Sequence, residues 1–127
     1  MPEGSAARVL VADDAVFMRR QLREILEGAG YEVVAEAADG QEALDRYGEL
    51  QPDLVTLDLV MPRMTGLEAL AELRRRHPEA RVIVCSSLSA QDTILKAIAL
   101  GARDYVIKPI HPSKLLTAVE KALLGRR

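Results

Sequence analysis

Leu54-Val55-Thr56-Leu57-Asp58 is the stretch whose reading decides how this chain folds. A short, nearly unbroken apolar run ends on a carboxylate, without the alternation of a strand that shows one face to water. Such a run reads as a strand buried on both faces, the habit of a parallel sheet. Three similar runs follow the same plan: Val9-Leu10-Val11-Ala12 before Asp13-Asp14, Val82-Ile83-Val84-Cys85 before Ser86, and Tyr105-Val106-Ile107 before Lys108. In an open α/β sheet, ligands bind outside the carboxyl ends of the strands. Three carboxylates, a hydroxyl and an ammonium are therefore expected on one rim, a set suited to a cation and a phosphoryl group.

Between these runs lie helical patterns. A first helix from about Ala15 to Gly28 carries Met18, Leu22, Ile25, Leu26 and Ala29 on one face, and Gly30 stops it. A second strand runs from Tyr31 to Ala37, and Asp39 caps a helix ending near Leu50. Thr65-Gly66-Leu67-Glu68 matches a capping box, with Leu67, Leu70 and Leu73 facing the sheet. Ser89 opens a fourth helix bearing Ile94, Leu95, Ile98 and Leu100. Pro112 introduces the last, with Leu115, Leu116, Val119 and Leu123. Five strands alternating with five helices predict a flavodoxin-like, doubly wound parallel sheet in the order 2-1-3-4-5. Its switch point would bring Asp13, Asp14 and Asp58 together.

The 127 residues predict one domain, with an ordered core over about residues 8–124 and a frayed Met1-Pro2-Glu3-Gly4-Ser5. A formal charge of −2 argues against a general nucleic-acid binder, which would carry a basic stripe. No apolar stretch approaches membrane-span length, and no cleavable signal is recognisable. The single cysteine, Cys85, allows no disulfide within the chain and fits a reducing compartment, so a cytoplasmic protein is expected. Arg74-Arg75-Arg76 reads as a solvated helix end favoured by the helix dipole.

For each acidic residue a plain structural role competes with a chemical one. Asp13 or Asp14 could cap the first helix, and Asp58 could be a turn residue. A cap explains one aspartate, not two adjacent ones. Carboxylates about 5 Å apart repel by roughly 3 kcal/mol at an effective dielectric near 20. A divalent cation, a raised pKa or a nearby ammonium must offset that. All candidate donors are oxygens, which selects magnesium, with manganese as the alternative. Lys108 can neutralise phosphoryl oxygens and Ser86 can hydrogen-bond one.

In order, Asp13-Asp14, Asp58 with Met61-Pro62-Arg63-Met64-Thr65-Gly66, Ser86-Ser87 and Lys108-Pro109 resemble the response-regulator receiver pattern over nearly the whole chain. The resemblance implies a phosphoacceptor of a two-component system: a histidine kinase donates a phosphoryl group to Asp58. It also implies magnesium on Asp13, Asp14, Asp58 and the backbone carbonyl of Val60, Lys108 and Ser86 on the phosphoryl group, and Tyr105 as a switch aromatic. A cis Lys108-Pro109 bond is expected on the same ground. The protein would not be an enzyme acting on a separate substrate. It would catalyse its own phosphorylation and dephosphorylation, and its product would be a changed affinity for a downstream protein. The reporting surface would span roughly Gln91 to Leu124, with a flagellar switch component among the candidates. A monomer or a weak phosphorylation-dependent dimer is expected.

Asp14-Ala15-Val16-Phe17-Met18-Arg19-Arg20 is similar to chemotaxis receivers, both the stand-alone CheY-like type and the receiver of CheB-type methylesterases. Cys85-Ser86-Ser87-Leu88-Ser89 leans toward the second. No esterase segment follows, so the stand-alone regulator is the first expectation and a receiver cut from a larger protein the second. No helix-turn-helix segment is present. Ser86 stands where threonine is commoner, and Ile110 where phenylalanine often follows Lys-Pro. Val60 and Leu88 are apolar where some relatives carry polar groups, which predicts a shielded, slowly hydrolysed acyl phosphate. A flavin mononucleotide protein or a phosphatase is the remote alternative. Adjacent aspartates after the first strand suit neither a phosphate loop nor an Asp-x-Asp nucleophile.

Overall fold

Strand pairing is parallel throughout the computed structural model, which describes residues 6–124. β1 (Arg8–Ala12), β2 (Glu32–Ala37), β3 (Leu54–Leu57), β4 (Val82–Ser86) and β5 (Asp104–Ile107) form one sheet in the order β2-β1-β3-β4-β5. The connections are α1 (Val16–Gly28), α2 (Gly40–Leu50), α3 (Gly66–Arg76) and α4 (Gln91–Ala99), and α5 (Pro112–Leu124) follows the last strand. The strand order and the alternation are those expected from the apolar runs. Residues 1–5, read above as a frayed start, lie outside the described residues.

Both faces of the sheet are covered, which is why its strands lack alternation. Val9, Val11, Leu54, Ile83 and Cys85 pack against Met18, Leu22 and Leu26 of α1 and Leu115 and Val119 of α5. Their neighbours Leu10, Val55, Leu57, Val82 and Val84 face the other way, onto Leu44 and Tyr47 of α2, Leu70 and Leu73 of α3 and Ala97 of α4. Asp39 caps α2 by accepting the Glu42 N–H at 2.8 Å, and Thr65 and Glu68 form the expected capping box on α3.

Four local expectations need correction. Ala29 is exposed, because α1 ends at Gly28 and the chain then turns through Gly30 at φ 95°. α4 starts at Gln91, not Ser89, and its N-cap Ala90 makes no side-chain bond. On α4 only Ala97 is buried, while Leu95 (58% exposed) and Ile98 face outward. The helix meets the sheet through a small residue and leaves Leu95 and Ile98 exposed. Arg74 is not simply solvated: its guanidinium folds back onto the carbonyls of Pro78 and Ala80 and lies over Gly101. Arg75 and Arg76 do remain at the surface, paired with Glu72.

Candidate phosphoacceptor site

Three strand ends are stitched together before any side chain is considered. The Asp13 N–H donates to the Ala37 carbonyl at 2.9 Å, the Asp58 N–H to Ala12 at 3.0 Å, and the Lys108 N–H to Ser86 at 2.9 Å. Asp13, Asp58 and Lys108, just past β1, β3 and β5, and Ser86, the last residue of β4, are thereby aligned on one edge. The capping role does not account for the acidic pair. The N-cap of α1 is Ala15, with no side-chain cap, so neither aspartate serves as one.

Ligand oxygens of Asp13, Asp14 and Asp58 lie within 4.8 Å of one another. Asp13 (1% exposed) and Asp58 (6%) are buried, and Asp14 is open to solvent. Lys108 Nζ sits between the buried pair, 2.7 Å from Asp13 Oδ2 and 3.1 Å from Asp58 Oδ2. Burial works to lower the Lys108 pKa. The hydrogen bond to Asp13 and the charges of Asp58 and Asp13 outweigh it, and the ammonium is held above its ordinary 10.5. The second oxygen of Asp58, Oδ1, accepts the Leu59 N–H at 2.7 Å, which locks the carboxylate's orientation. Asp13 Oδ1 accepts the Ala15 N–H at 2.9 Å.

One ammonium against three carboxylates leaves the cluster formally negative, and the shared donor chemistry is hard oxygen without histidine or thiolate. That donor set fits magnesium or manganese, which use few carboxylates and keep waters. Cys85 adds no competing ligand: burial pushes its thiol up to about 12. His77 lies elsewhere, its ring tilted against Tyr47 with centroids 4.6 Å apart.

Ser86 is the last residue of β4 and fully buried. Its Oγ accepts the Leu88 N–H at 3.2 Å, so it is not the cap of α4. The half-buried Tyr105 of β5 donates its hydroxyl to the Leu88 carbonyl at 2.6 Å. Ser86 and Tyr105 thus both hold the backbone of Leu88 in the β4–α4 loop, one at its N–H and the other at its carbonyl. Val60 and Leu88 are both exposed beside the rim. The Lys108-Pro109 bond is cis, as expected.

A family model described as response regulator receiver domain matches residues 9–120. The chain belongs to the response regulator receiver family. This receiver is 46% identical to the chemotaxis protein CheY of Thermotoga maritima, over 90% of its own length and 95% of the relative's. It is 44% identical to CheY of Bacillus subtilis, over 93% and 98%. A chain of the CheX–CheY–BeF3–magnesium complex from Borrelia burgdorferi superposes with a TM-score of 0.90 at 33% identity, covering 94% of this chain and 90% of that one. The response regulator domain of Thermotoga maritima CheB reaches 0.90 at 34%, covering 97% and 100%. Membership of this family sets aside the flavin and phosphatase alternatives.

Side-chain roles that the sequence reading missed surround the cluster. Arg19 of α1 donates to the Asp13 carbonyl at 2.6 Å and to Glu36 of β2 at 2.9 Å, bracing the loop that carries both aspartates. Arg63 pairs with Asp39, recognised above only as a cap. Gly66 presses on the Asp58 backbone so tightly that a Cβ there would stand 2.1 Å from its carbonyl oxygen. Arg19, Arg63 and Gly66 all fall inside the quoted motifs, but spacing along a chain does not say which carbonyl or carboxylate a long side chain will meet. Among the described residues, no helix is long and apolar enough to cross a membrane.

Proposed function

We propose that this receiver accepts a phosphoryl group from a histidine kinase on Asp58 and thereby changes its affinity for a downstream protein in a cytoplasmic chemotaxis or motility circuit. The observation that carries the chemistry is the meeting of Asp13, Asp14, Asp58 and Lys108 at the ends of β1, β3 and β5. The chemotaxis setting rests on CheY relatives matched over nearly their whole length. The CheB domain is as close in fold, and a receiver of that type would share the same chemistry.

Asp13, Asp14, Asp58 and the Val60 carbonyl would hold magnesium, or manganese in its place. When bound, the ion supplies charge neutralisation at the transferring phosphoryl oxygens. An Asp58 carboxylate oxygen attacks phosphorus, and the bond from phosphorus to the donor's imidazole nitrogen breaks with its electron pair staying on nitrogen. Lys108 turns from the carboxylates to the incoming oxygens, and the Ser86 hydroxyl donates to one of them. In dephosphorylation, a water oxygen bonds to phosphorus, the bond to Asp58 breaks, and inorganic phosphate leaves with the carboxylate restored. The group modified is the chain's own Asp58, so the donor's phosphoryl group ends on the protein itself.

Output is a population shift. A tenfold gain in partner affinity needs only about 1.4 kcal/mol of preference for one conformer. Ser86 and Tyr105 both hydrogen-bond to the backbone of Leu88, through its N–H and its carbonyl, so a change at Ser86 can reach Tyr105 through that one residue. Tyr105 in turn lines a groove of about 290 Å³ with Ile107, His111 and Lys114, between β5 and α5. Exposed Leu95 and Ile98 add apolar surface on neighbouring α4. These features support Gln91 to Leu124 as the partner surface.

Incubation with acetyl phosphate and magnesium, followed by intact-mass measurement, should show one added phosphoryl group on the wild type. Asp58→Asn should gain none, and chelation should abolish the gain in the wild type. Equal labelling of Asp58→Asn would contradict the assignment. Replacing Val60 and Leu88 together with glutamine should speed loss of the phosphoryl group at least about threefold, a barrier change of at least about 0.7 kcal/mol. An unaltered decay would show that these side chains do not exclude water.

A further inference from the structure

Arg63 occupies the left-handed region at φ 67°, where a residue with a Cβ is disfavoured. From there its guanidinium crosses to Asp39, with Nε 3.0 Å and a terminal nitrogen 2.5 Å from Oδ2. Asp39 is itself fixed: buried, with Oδ1 accepting the Glu42 N–H as the cap of α2. That N–H holds the Asp39 carboxyl below its ordinary pKa against the opposing effect of burial, and Arg63 assists, so the pair is ionised at neutral pH. A second contact lies beside it. Met64 packs on Gly40 so closely that a Cβ there would meet the Met64 carbonyl oxygen at 2.5 Å. The loop between β3 and α3 is thus tied to the first turn of α2 at two points.

That loop carries Val60, whose side chain is exposed and whose N–H reaches Asp58 Oδ1 only at 3.4 Å. Its other internal ties are Met64 N–H to the Pro62 carbonyl and Gly66 N–H to the Leu59 carbonyl. The Arg63 side chain is two-thirds exposed, and an ion pair of that kind contributes little to global stability. Leu59 and Met61 already anchor the inner side of this loop in the core, and the ion pair adds a geometric restraint on its outer side by holding it against a rigid helix end.

We propose that the Arg63–Asp39 pair is a clasp that sets the receiver's affinity for its divalent cation, by fixing the β3–α3 loop and the Val60 carbonyl before the ion arrives. This rests on the site assignment proposed above. Arg63 acts as a positioning residue through Val60. Holding a ligand in place beforehand strengthens binding of the ion while leaving the transfer step itself unchanged.

The test is a calorimetric titration of the full chain with magnesium chloride, for wild type, Arg63→Ala, Arg63→Gly and Arg63→Lys, with thermal melts in chelator. Alanine and glycine should weaken magnesium about tenfold, the low end of what outer-shell partners contribute. Lysine, which keeps the charge but not the fork, should fall between. Glycine is the deciding variant, since it relieves the left-handed backbone. Its melting temperature in chelator should hold or rise while magnesium affinity falls, whereas a merely structural role moves both the same way. With acetyl phosphate, the magnesium needed for half-maximal rate should rise with the dissociation constant, and the maximal rate should stay within about twofold. Unchanged magnesium affinity in Arg63→Gly overturns the clasp and leaves the site assignment standing. A wild type that binds no magnesium overturns the assignment, and the clasp with it.

Discussion

Lys108→Met should slow phosphorylation of Asp58 by about a hundredfold to a thousandfold, the usual loss when one aimed charge-stabilising donor is removed. Methionine keeps much of the length of the stem and deletes only the charge. Lys108 Nζ is the donor that Asp13 Oδ2 and Asp58 Oδ2 share, and its side chain is 16% exposed. Without it, two buried carboxylates repel with no counter-charge, so stability should also fall by about 1–3 kcal/mol in chelator. That is below the roughly 3–5 kcal/mol typical of a broken, fully buried pair, because water reaches this rim. Magnesium should restore much of it. The pH dependence carries a definite sign. The folded-state pKa of Lys108 is raised, so its contribution is complete below the unfolded value of 10.5 and is lost as pH climbs through the folded one. The wild type should therefore lose an alkaline component of stability that Lys108→Met lacks, read from denaturant midpoints between neutral pH and about pH 11. Phosphorylation within threefold of wild type would remove Lys108 from the chemistry.

Gly66→Ala should be among the most destructive single-methyl changes available in this chain. The added Cβ would lie 2.1 Å from the Asp58 carbonyl oxygen, 2.4 Å from Leu59 Cα and 2.9 Å from the Asp58 carbonyl carbon. All three are backbone atoms of the Asp58–Leu59 segment, so no side chain can swing aside. Either α3 retreats, breaking the Gly66 N–H to Leu59 carbonyl bond of 2.9 Å, or the backbone of Asp58 moves out of register with Lys108. Overpacking usually costs about 1–3 kcal/mol, and backbone-on-backbone overlap should reach or exceed the top of that range. Loss of phosphorylation should accompany it. Gly48→Ala is the control: it lies within α2 with nothing inside 4 Å of the added carbon, and should stabilise by about 0.5–1 kcal/mol. Denaturant midpoints of the two variants should move in opposite directions. A Gly66→Ala protein as stable as wild type would contradict the described approach of α3 to the β3 exit.

The sheet was legible because four apolar runs each end on a chemically distinctive residue, and continuous burial leaves no other reading for Leu54–Leu57 or Val82–Ser86. The caps at Asp39 and Thr65 were legible because they depend on residues three apart in the chain. What escaped depends on distant partners. The apolar residues of α4 announce an amphipathic helix, but periodicity does not say that Ala97 rather than Leu95 meets the sheet. Arg74 looked like a surface cation and Arg19 carried no structural reading, yet each turns back to backbone carbonyls of its neighbourhood. At the site, Asp13, Asp58 and Lys108 were found by strand-end position alone. Arg63 and Gly66, by contrast, were visible only as members of a motif, because their roles are contacts with Asp39 and with the Asp58 backbone.

The most direct measurement is to identify the residue that carries the phosphoryl group. Wild-type protein phosphorylated by acetyl phosphate in magnesium would be reduced with borohydride, which converts an acyl phosphate to an alcohol, and then digested and sequenced by mass. The conversion should fall on Asp58, the carboxylate with one oxygen on Lys108 and the other on the Leu59 N–H. Conversion at Asp13 or Asp14, or a phosphoryl group found on Ser86, would contradict it.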